Sequence, residues 1–130
     1  MFHHNRRLVE RFWQTMNTND WRAVTELFHD DFVLDWPQSG ERLRGRDTFV
    51  AVNAAYPAVG RWRFTVHRVI ADEASAVSDV SVTDTVRNDR AISFFQLRDG
   101  RIWRVVEYWP DPFEAAPWRS HWVERIEPDA

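Results

Sequence analysis

The sequence contains no cysteine and no lysine, and all 17 of its basic residues are arginine. The lack of cysteine excludes disulfide bonds, thiolate metal sites and a cysteine nucleophile, and it favours an intracellular location. Residues 40–45, Gly-Glu-Arg-Leu-Arg-Gly, are too short for a phosphate-binding loop and lack its lysine. No run of about 18 apolar residues occurs, and the charged N-terminus lacks the apolar core of a signal peptide. We therefore expect a soluble, cytoplasmic protein.

The chain has no excess of positive charge. The 17 arginines are outnumbered by 20 acidic residues, which gives a net charge of -3. This balance argues against non-specific nucleic-acid binding. A length of 130 residues predicts one domain, residues 1–130. What the chain has in excess is aromatic side chains, 8 Trp, 9 Phe and 2 Tyr, which can line an enclosed cavity.

Three helices are predicted from apolar residues that recur at three- and four-residue spacing. The first runs from about residue 5 to residue 17, the second follows an Asn19-Asp20 cap, and the third follows a cap at Asp47. Their apolar faces carry Leu8, Phe12 and Met16, then Trp21, Val24, Leu27 and Phe28, then Phe49, Val52 and Tyr56. A last helical turn is expected over residues 118–126.

Strands are predicted at 31–36, 41–44, 61–71, 75–86, 90–98 and 101–109. The breaks at Asp72-Glu73, Asn88-Asp89 and Asp99-Gly100 suit hairpins, so the last four strands should form an antiparallel meander. This order predicts an α+β fold, a cone-shaped roll in which three helices pack on a curved, mainly antiparallel sheet. Such a roll tends to enclose a cavity that is open at one end.

Three stretches carry a family resemblance: ERFWQTMNTNDWRAVTELFHDDFVLDWP, GERLRGRDTFVAVN and FFQLRDGRIWRVVEYW. They resemble the nuclear transport factor 2-like superfamily, in its SnoaL-like branch of polyketide cyclases and ketosteroid isomerase relatives. The resemblance covers residues 8–109 and implies the cone-shaped fold. The superfamily contains isomerases, aldol cyclases, dehydratases, epoxide hydrolases and non-catalytic binding domains, so the fold alone does not choose an activity.

The resemblance also maps the catalytic residues of ketosteroid isomerase onto other residue types. The catalytic Asp falls on Trp36, the oxyanion Tyr on Phe12 and the second Asp on Ser93. Steroid isomerisation by the known route is therefore not expected.

Glu107 is the leading candidate for acid-base chemistry. On the last strand Trp103, Val105, Glu107 and Trp109 share one face by alternation, and the resemblance turns that face toward the cavity. Apolar neighbours raise the pKa of a carboxyl group and allow proton transfer near neutral pH. The alternative is a structural ion pair with an arginine.

Asp84 is a second candidate, and its position depends on strand register. If Asn88 and Asp89 form a two-residue turn, Asp84 lies opposite Ser93 on the cavity face. A three-residue turn would place Asp79 or Thr83 there instead. The alternative for Asp84 is a solvated position near the hairpin tip.

Asp35 and His67 complete the catalytic candidates. Asp35 could act with Glu107 as a pair of carboxylates in different environments, or could pair at the surface with Arg42 or Arg44. His67 could act as a general base, although a lone histidine on a strand is often structural.

A set of aromatic residues could form the ligand surface together with Ser93: Trp13, Trp36, Phe49, Tyr56, Trp62, Phe95 and Trp109. Together they favour a flat, apolar, carbonyl-bearing ligand. No histidine has metal-ligand spacing, and we expect neither a metal nor a cofactor.

Three functions are consistent with these observations. The first is a cofactor-independent isomerase, cyclase or hydrolase-like enzyme that transfers a proton on a small hydrophobic substrate. The second is a binding or accessory domain for an apolar metabolite, and the third is a dimerisation module whose cavity is filled by its own side chains. Ile92 and Phe94 should face away from the cavity, and a homodimer through that sheet face would cover them.

Overall fold

The computed structural model of the protein describes residues 2–127 and the side chains of residues 3–127. Its helices are α1 (Phe2–Met16), α2 (Trp21–Val24) and α3 (Arg46–Ala55). Its strands are β1 (Phe28–Trp36), β2 (Glu41–Arg44), β3 (Arg63–Ala71), β4 (Ser75–Thr83), β5 (Asn88–Arg98) and β6 (Arg101–Tyr108). No helix in residues 2–127 has the length and apolar character needed to cross a bilayer.

The six strands form one sheet in the order β2-β1-β6-β5-β4-β3. Neighbouring strands are antiparallel except for β1 and β6, which run parallel. The predicted meander of the last four strands is confirmed, and so is the α+β fold of three helices on a mainly antiparallel sheet. We call the sheet face that the helices cover the inner face, and the opposite one the outer face.

Helix α1 lies on the inner face because its apolar stripe is buried there. Phe12 packs edge-on against Phe95 of β5, with ring centroids 5.6 Å apart. The indole N–H of Trp13 donates to the Oγ atom of Ser78 on β4 at 3.0 Å. This hydrogen bond satisfies a buried polar atom and sets the height of the helix above the sheet.

Two asparagines at the end of α1 hold the start of β3. The carboxamide of Asn17 bonds the backbone N–H and C=O of Phe64 at 2.7 and 2.8 Å. Asn19 bonds the same two groups of Trp62 at 3.0 and 2.9 Å. Asn19 has φ +58°, a left-handed conformation that asparagine tolerates better than most residues. The two side chains act as a short strand partner and place Trp62 and Phe64 under the helices.

The predicted turn at Asn88-Asp89 is wrong. Thr83 pairs with Asn88, so the loop between β4 and β5 is residues 84–87, and Ser93 pairs with Ser78 instead of Asp84. The carboxylate of Asp84 accepts the backbone N–H groups of residues 86 and 87 at 3.1 and 2.8 Å, and these bonds close the loop. The predicted and observed partners of Ser93 lie an even number of residues apart, so Val82, Ser93 and Phe95 keep their predicted face, whereas Asp84, which was predicted there too, lies in the loop.

Trp103 does not lie on the inner face as alternation predicted. Gln96 pairs with Arg104 and Leu97 with Ile102, so Trp103 is the extra residue of a β-bulge in β6. Its ring lies 3.6 Å from the guanidinium of Arg98 and 4.5 Å from that of Arg104. Alternation resumes after the bulge, so the predicted facing of Val105 and Glu107 is unaffected.

Two predicted details of the second and third helices also differ from the structure. The helical segment after α2 ends as a 3-10 turn at Leu27, and Phe28 begins β1. The N-cap of α3 is Gly45, whereas Asp47 lies in the first turn and pairs with Arg22 at 2.9 Å.

The helical turn predicted for residues 118–126 is reduced to a 3-10 turn at Pro117–Arg119. Trp118, Trp122 and Ile126 remain exposed. A short helix gains most of its stability from packing its apolar side, and these side chains find no such surface.

Candidate functional site

An apolar cavity lies between the helices and the inner face of the sheet, with a free volume of about 60 Å³. Its walls are Phe12, Trp13, Met16, Trp21, Phe32, Leu34, Trp36, Phe49, Val52, Asn53, Tyr56, Trp62, Phe64, Val82, Asp89, Val105, Glu107 and Trp109. We call it the inner cavity. Because a cavity of about 150 Å³ holds benzene, this one accepts a group of only a few heavy atoms.

A wider outer cavity of about 510 Å³ adjoins the inner one. Its walls are Trp36, Gln38, Ser39, Glu41, Tyr56, Trp109 and Asp111. The two cavities share Trp36, Tyr56 and Trp109. These three side chains therefore stand where the two cavities adjoin.

Glu107 presents its carboxylate to the inner cavity from β6. The indole N–H groups of Trp36 and Trp109 both donate to its Oε1 atom at 3.1 Å. The hydroxyl of Ser93, which pairs with Glu107 across the β5–β6 ladder, donates to Oε2 at 2.7 Å. An ionised carboxylate offers about four acceptor positions, so one acceptor position on Oε2 is left for a ligand.

Burial raises the pKa of Glu107 above the ordinary glutamate value. The hydrogen bonds from Ser93, Trp36 and Trp109 favour the ionised form and partly oppose this shift. All three donors are neutral groups, so they orient the carboxylate without supplying a positive charge. The result is a fixed carboxyl group that binds its proton more tightly than a glutamate in water.

Asp35 lies on the outer face of β1. The guanidinium of Arg42 donates two hydrogen bonds to its carboxylate, at 2.7 and 2.9 Å. These bonds lower the pKa of Asp35. The inner cavity is thus bordered by the next residue, Trp36, and not by Asp35.

Asp84 and His67 also lie away from both cavities. The Asp84 carboxylate is buried in the β4–β5 loop, where backbone N–H groups of Arg87, Val59 and Val86 lower its pKa. The exposed ring of His67 lies 2.6 Å from the Oγ atom of Ser81, measured from Nε2. Of the four predicted acid-base residues, the structure brings Glu107 alone to the inner cavity.

Most of the predicted aromatic residues border the inner cavity, whereas only one of the four predicted acid-base residues does. Those that border the inner cavity are Trp13, Trp36, Phe49, Tyr56, Trp62 and Trp109. Phe95 lies deeper in the core, against Phe12. Ser93 is not a wall residue and reaches the site through its bond to Glu107.

Asp89 and Asn53 are wall residues that the sequence analysis missed. Asp89 was assigned to a turn, but it lies in β5 and alternates onto the inner face together with Ser93. Four residues of strand separate the two, roughly 13 Å, which places Asp89 toward the rim. There it pairs with Arg87 at 3.4 Å, whose guanidinium lies over the Tyr56 ring. The correct β4–β5 register would have revealed Asp89.

Within residues 2–127, no three His, Asp or Glu side chains gather closely enough to hold a metal ion. The polar residues among the described walls of the inner cavity are Glu107, Asp89, Tyr56 and Asn53, together with the tryptophans.

The fold and this site can be compared with known proteins. A family model for the SnoaL-like domain matches residues 9–105, which is most of the chain. The chain belongs to the SnoaL-like domain family. The resemblance stated from the sequence is thereby confirmed. None of the curated proteins matches this SnoaL-like domain.

Solved structures extend the comparison over nearly the whole chain. A candidate ketosteroid isomerase from Kribbella flavida DSM 17836 is 32% identical, with a TM-score of 0.90 over 98% of this chain and 93% of that one. An NTF-2-like protein of unknown function from Burkholderia xenovorans LB400 is 31% identical, with a TM-score of 0.79 over 96% and 97%. A candidate SnoaL-like polyketide cyclase from Jannaschia sp. CCS1 is 18% identical at a TM-score of 0.70, covers 83% and 86%, and shows the fold alone.

Proposed function

We propose that this SnoaL-like domain is a cofactor-independent isomerase or cyclase that moves a proton on a small, largely apolar carbonyl compound through Glu107. The observation that supports this proposal most is the environment of Glu107. Its carboxylate is buried on the wall of an aromatic cavity, held by three neutral donors, and has a raised pKa.

In the proposed reaction, ionised Glu107 acts first as a base. Its Oε2 atom removes a proton from a carbon next to the substrate carbonyl, and the electrons of the broken C–H bond pass into an enolate. Burial makes the carboxylate a stronger base, and the same raised pKa lets the acid form return the proton. Where the substrate has a carbon–carbon double bond beyond the deprotonated carbon, the enolate is a conjugated dienolate. The proton then adds to its far carbon, the double bond moves next to the carbonyl, and the Glu107 carboxylate is restored. Tyr56 and Asn53 line the same cavity, and a donor from either residue would stabilise the enolate oxygen, although the Asn53 amide also donates to the carbonyl of Phe49 at 2.8 Å.

The residues at the ketosteroid isomerase positions support a different arrangement from that enzyme. Trp36 and Ser93 occupy two of the mapped acid positions, and here both donate to Glu107. Phe12 occupies the mapped tyrosine position and is an apolar wall residue. The proposal therefore assigns the acid-base role to β6.

One observation favours binding of an apolar metabolite without turnover. Asp89, the other carboxylate on the inner-cavity wall, lies toward the rim and pairs with Arg87. The described wall residues therefore offer no two acids that could contact the same substrate atom, as a two-acid reaction would require.

Hydrogen–deuterium exchange tests the proposed reaction without knowledge of the substrate. Small ketones of four to eight carbons are incubated with the protein in deuterium oxide, and exchange at the carbons beside the carbonyl is followed by NMR. We expect wild-type protein to accelerate exchange and Glu107→Gln to slow it by about 100-fold or more, because general-base catalysis contributes about that factor. The carboxamide introduced by this substitution keeps an oxygen for the two indole N–H groups, so the fold should be retained.

Asp35→Asn is the matched control, since it makes the same chemical change on the outer face and should leave exchange unchanged. Folded Glu107→Gln protein with undiminished exchange would overturn the role of Glu107. Wild-type protein that binds ketones but never accelerates exchange would support the binding alternative.

Homodimerisation and a cytoplasmic location stay predictions. The exposed rings of Phe94 and Tyr108, which contact each other on the outer face, support the dimer.

A further inference from the structure

The charges along the two cavities are all of one sign. Glu107 and Asp89 line the inner cavity, and Glu41 and Asp111 line the outer one. Among the described wall residues of both cavities there is no arginine and no histidine, although the chain contains 17 arginines. A cleft lined by charges of one sign with low-dielectric walls concentrates ions of the opposite sign. The two cavities should therefore attract cations.

The walls of the inner cavity are also suited to a cation. Five of the chain's eight tryptophans line it: Trp13, Trp21, Trp36, Trp62 and Trp109. The faces of indole rings attract alkylammonium groups more strongly than those of other aromatic side chains. An apolar ligand would use the same walls, but the accompanying carboxylates would give it no advantage.

The carboxylate of Glu107 lacks a positive partner at its three hydrogen bonds. Two indole N–H groups and one hydroxyl satisfy its oxygens, and all are neutral. The acids of the outer face are held differently, since arginines pair with Asp35 and Asp79. A ligand that brings a positive charge would favour the ionised form of this carboxylate, which burial disfavours.

We propose that the ligand of this site carries a small alkylammonium group, which lies where the two cavities meet, against Trp36, Tyr56 and Trp109 and near Glu107, while the remainder of the molecule extends into the cavities. This inference names the substrate class of the site and rests on the proposed function for its location. The inner volume of about 60 Å³ is well below the roughly 150 Å³ that holds benzene, so a trimethylammonium or dimethylammonium group would need the space of the outer cavity, about 510 Å³, at this junction. An anionic ligand would meet four carboxylates on its way in.

Arg87 is the positive group at the rim, and it does not weaken the inference. Its guanidinium pairs with Asp89 at 3.4 Å and lies 5.8 Å from the centre of the Tyr56 ring. It is therefore compensated by a carboxylate of the wall itself.

The test compares choline with 3,3-dimethylbutan-1-ol, a neutral molecule of nearly the same shape in which carbon replaces the quaternary nitrogen. Dissociation constants are measured for the full chain by isothermal titration calorimetry at neutral pH. We expect choline to bind about tenfold more tightly than the alcohol, because the charge adds cation–π and carboxylate attraction. In Glu107→Gln the preference should fall to about threefold or less, and in Asp35→Asn it should be unchanged.

Equal affinity of wild-type protein for the two molecules, or failure to bind choline at all, would overturn the inference. A choline preference that persists undiminished in folded Glu107→Gln protein would also overturn it. If that variant does not fold, the comparison in the wild-type protein decides.

The outcome separates this inference from the proposed reaction. Ketone exchange that depends on Glu107, without any choline preference, would remove the ligand class and leave the proton transfer. A choline preference without ketone exchange would remove the proton transfer and leave the ligand class.

Discussion

The two faces of the sheet treat carboxylates in opposite ways. On the inner face, Glu107 is held by indole and hydroxyl donors, and burial raises its pKa. On the outer face, Asp79 is held by Arg90 and Arg68, and the hydrogen bond from Arg90 lowers its pKa. The two acids lie close in the sheet, because Ser78, the neighbour of Asp79, pairs with Ser93, which in turn pairs with Glu107.

The proposed function rests on this difference between the two faces. The outer-face acids are ion-paired and stay ionised over the physiological pH range. Glu107 is buried and oriented by three neutral donors, which suits the proposed proton transfer. The described walls of the two cavities contain no arginine, so no arginine there neutralises the charge of Glu107.

The largest difference between the two faces should appear in the free energy of unfolding when adjacent residues on β5 are truncated. Phe95 is 1% exposed on the inner side, whereas Phe94 is 49% exposed on the outer side. Phe95→Ala should lower the free energy of unfolding by about 3–5 kcal/mol, because it leaves a cavity in the core. Phe94→Ala should change it by about 0.5 kcal/mol in the monomer. Urea denaturation followed by tryptophan fluorescence measures both.

Similar losses for Phe94→Ala and Phe95→Ala would contradict the assignment of the outer face as exposed in the monomer. A loss for Phe94→Ala that grows with protein concentration would instead indicate that a dimer covers this face.

The pH dependence of stability is a smaller effect, and it should have opposite signs for Glu107 and Asp79. For Glu107 the folded state binds the proton more tightly than the unfolded state does. Wild-type stability therefore falls as the pH rises from the ordinary glutamate range through the raised pKa, and Glu107→Gln lacks this fall. For Asp79 the stability is present above the ordinary aspartate range and is lost as the pH falls through the lowered pKa.

Asp79→Asn should accordingly cost about 2 kcal/mol at neutral pH and less in acid, since it removes charge-assisted hydrogen bonds. Thermal unfolding from pH 3 to pH 8 for the wild type and the two variants measures these slopes. A wild-type minus Glu107→Gln difference that does not change with pH would show that Glu107 is not perturbed in the folded protein.

Much of the fold follows from local patterns. The apolar stripes predicted the helical layer, and alternation predicted the meander and the inward facing of Glu107. Alternation could not reveal the bulge at Trp103, because a single extra residue leaves no mark on composition. The β4–β5 turn was misplaced because Asp84 and Asn88 are both good turn formers, and the choice depends on the backbone N–H groups that Asp84 captures.

The surroundings of Glu107 could be predicted only in part. Its neighbour Trp109 is two residues away on the same face, and alternation finds it. Trp36 is 71 residues away and reaches Glu107 because β1 pairs in parallel with β6. No local pattern predicts that pairing. The lack of arginine along the cavities is a property of the assembled walls, so it became visible only in three dimensions.

The most direct test of the account is the titration of Glu107 itself. The side-chain carboxyl carbons are labelled with carbon-13 in glutamate and aspartate, the Glu107 signal is assigned with Glu107→Gln, and chemical shifts are followed by NMR from pH 2 to pH 9. The account predicts a pKa for Glu107 above the ordinary glutamate value, and pKa values for Asp35 and Asp79 below the ordinary aspartate value. A Glu107 carboxyl that titrates at or below the ordinary glutamate value would contradict it.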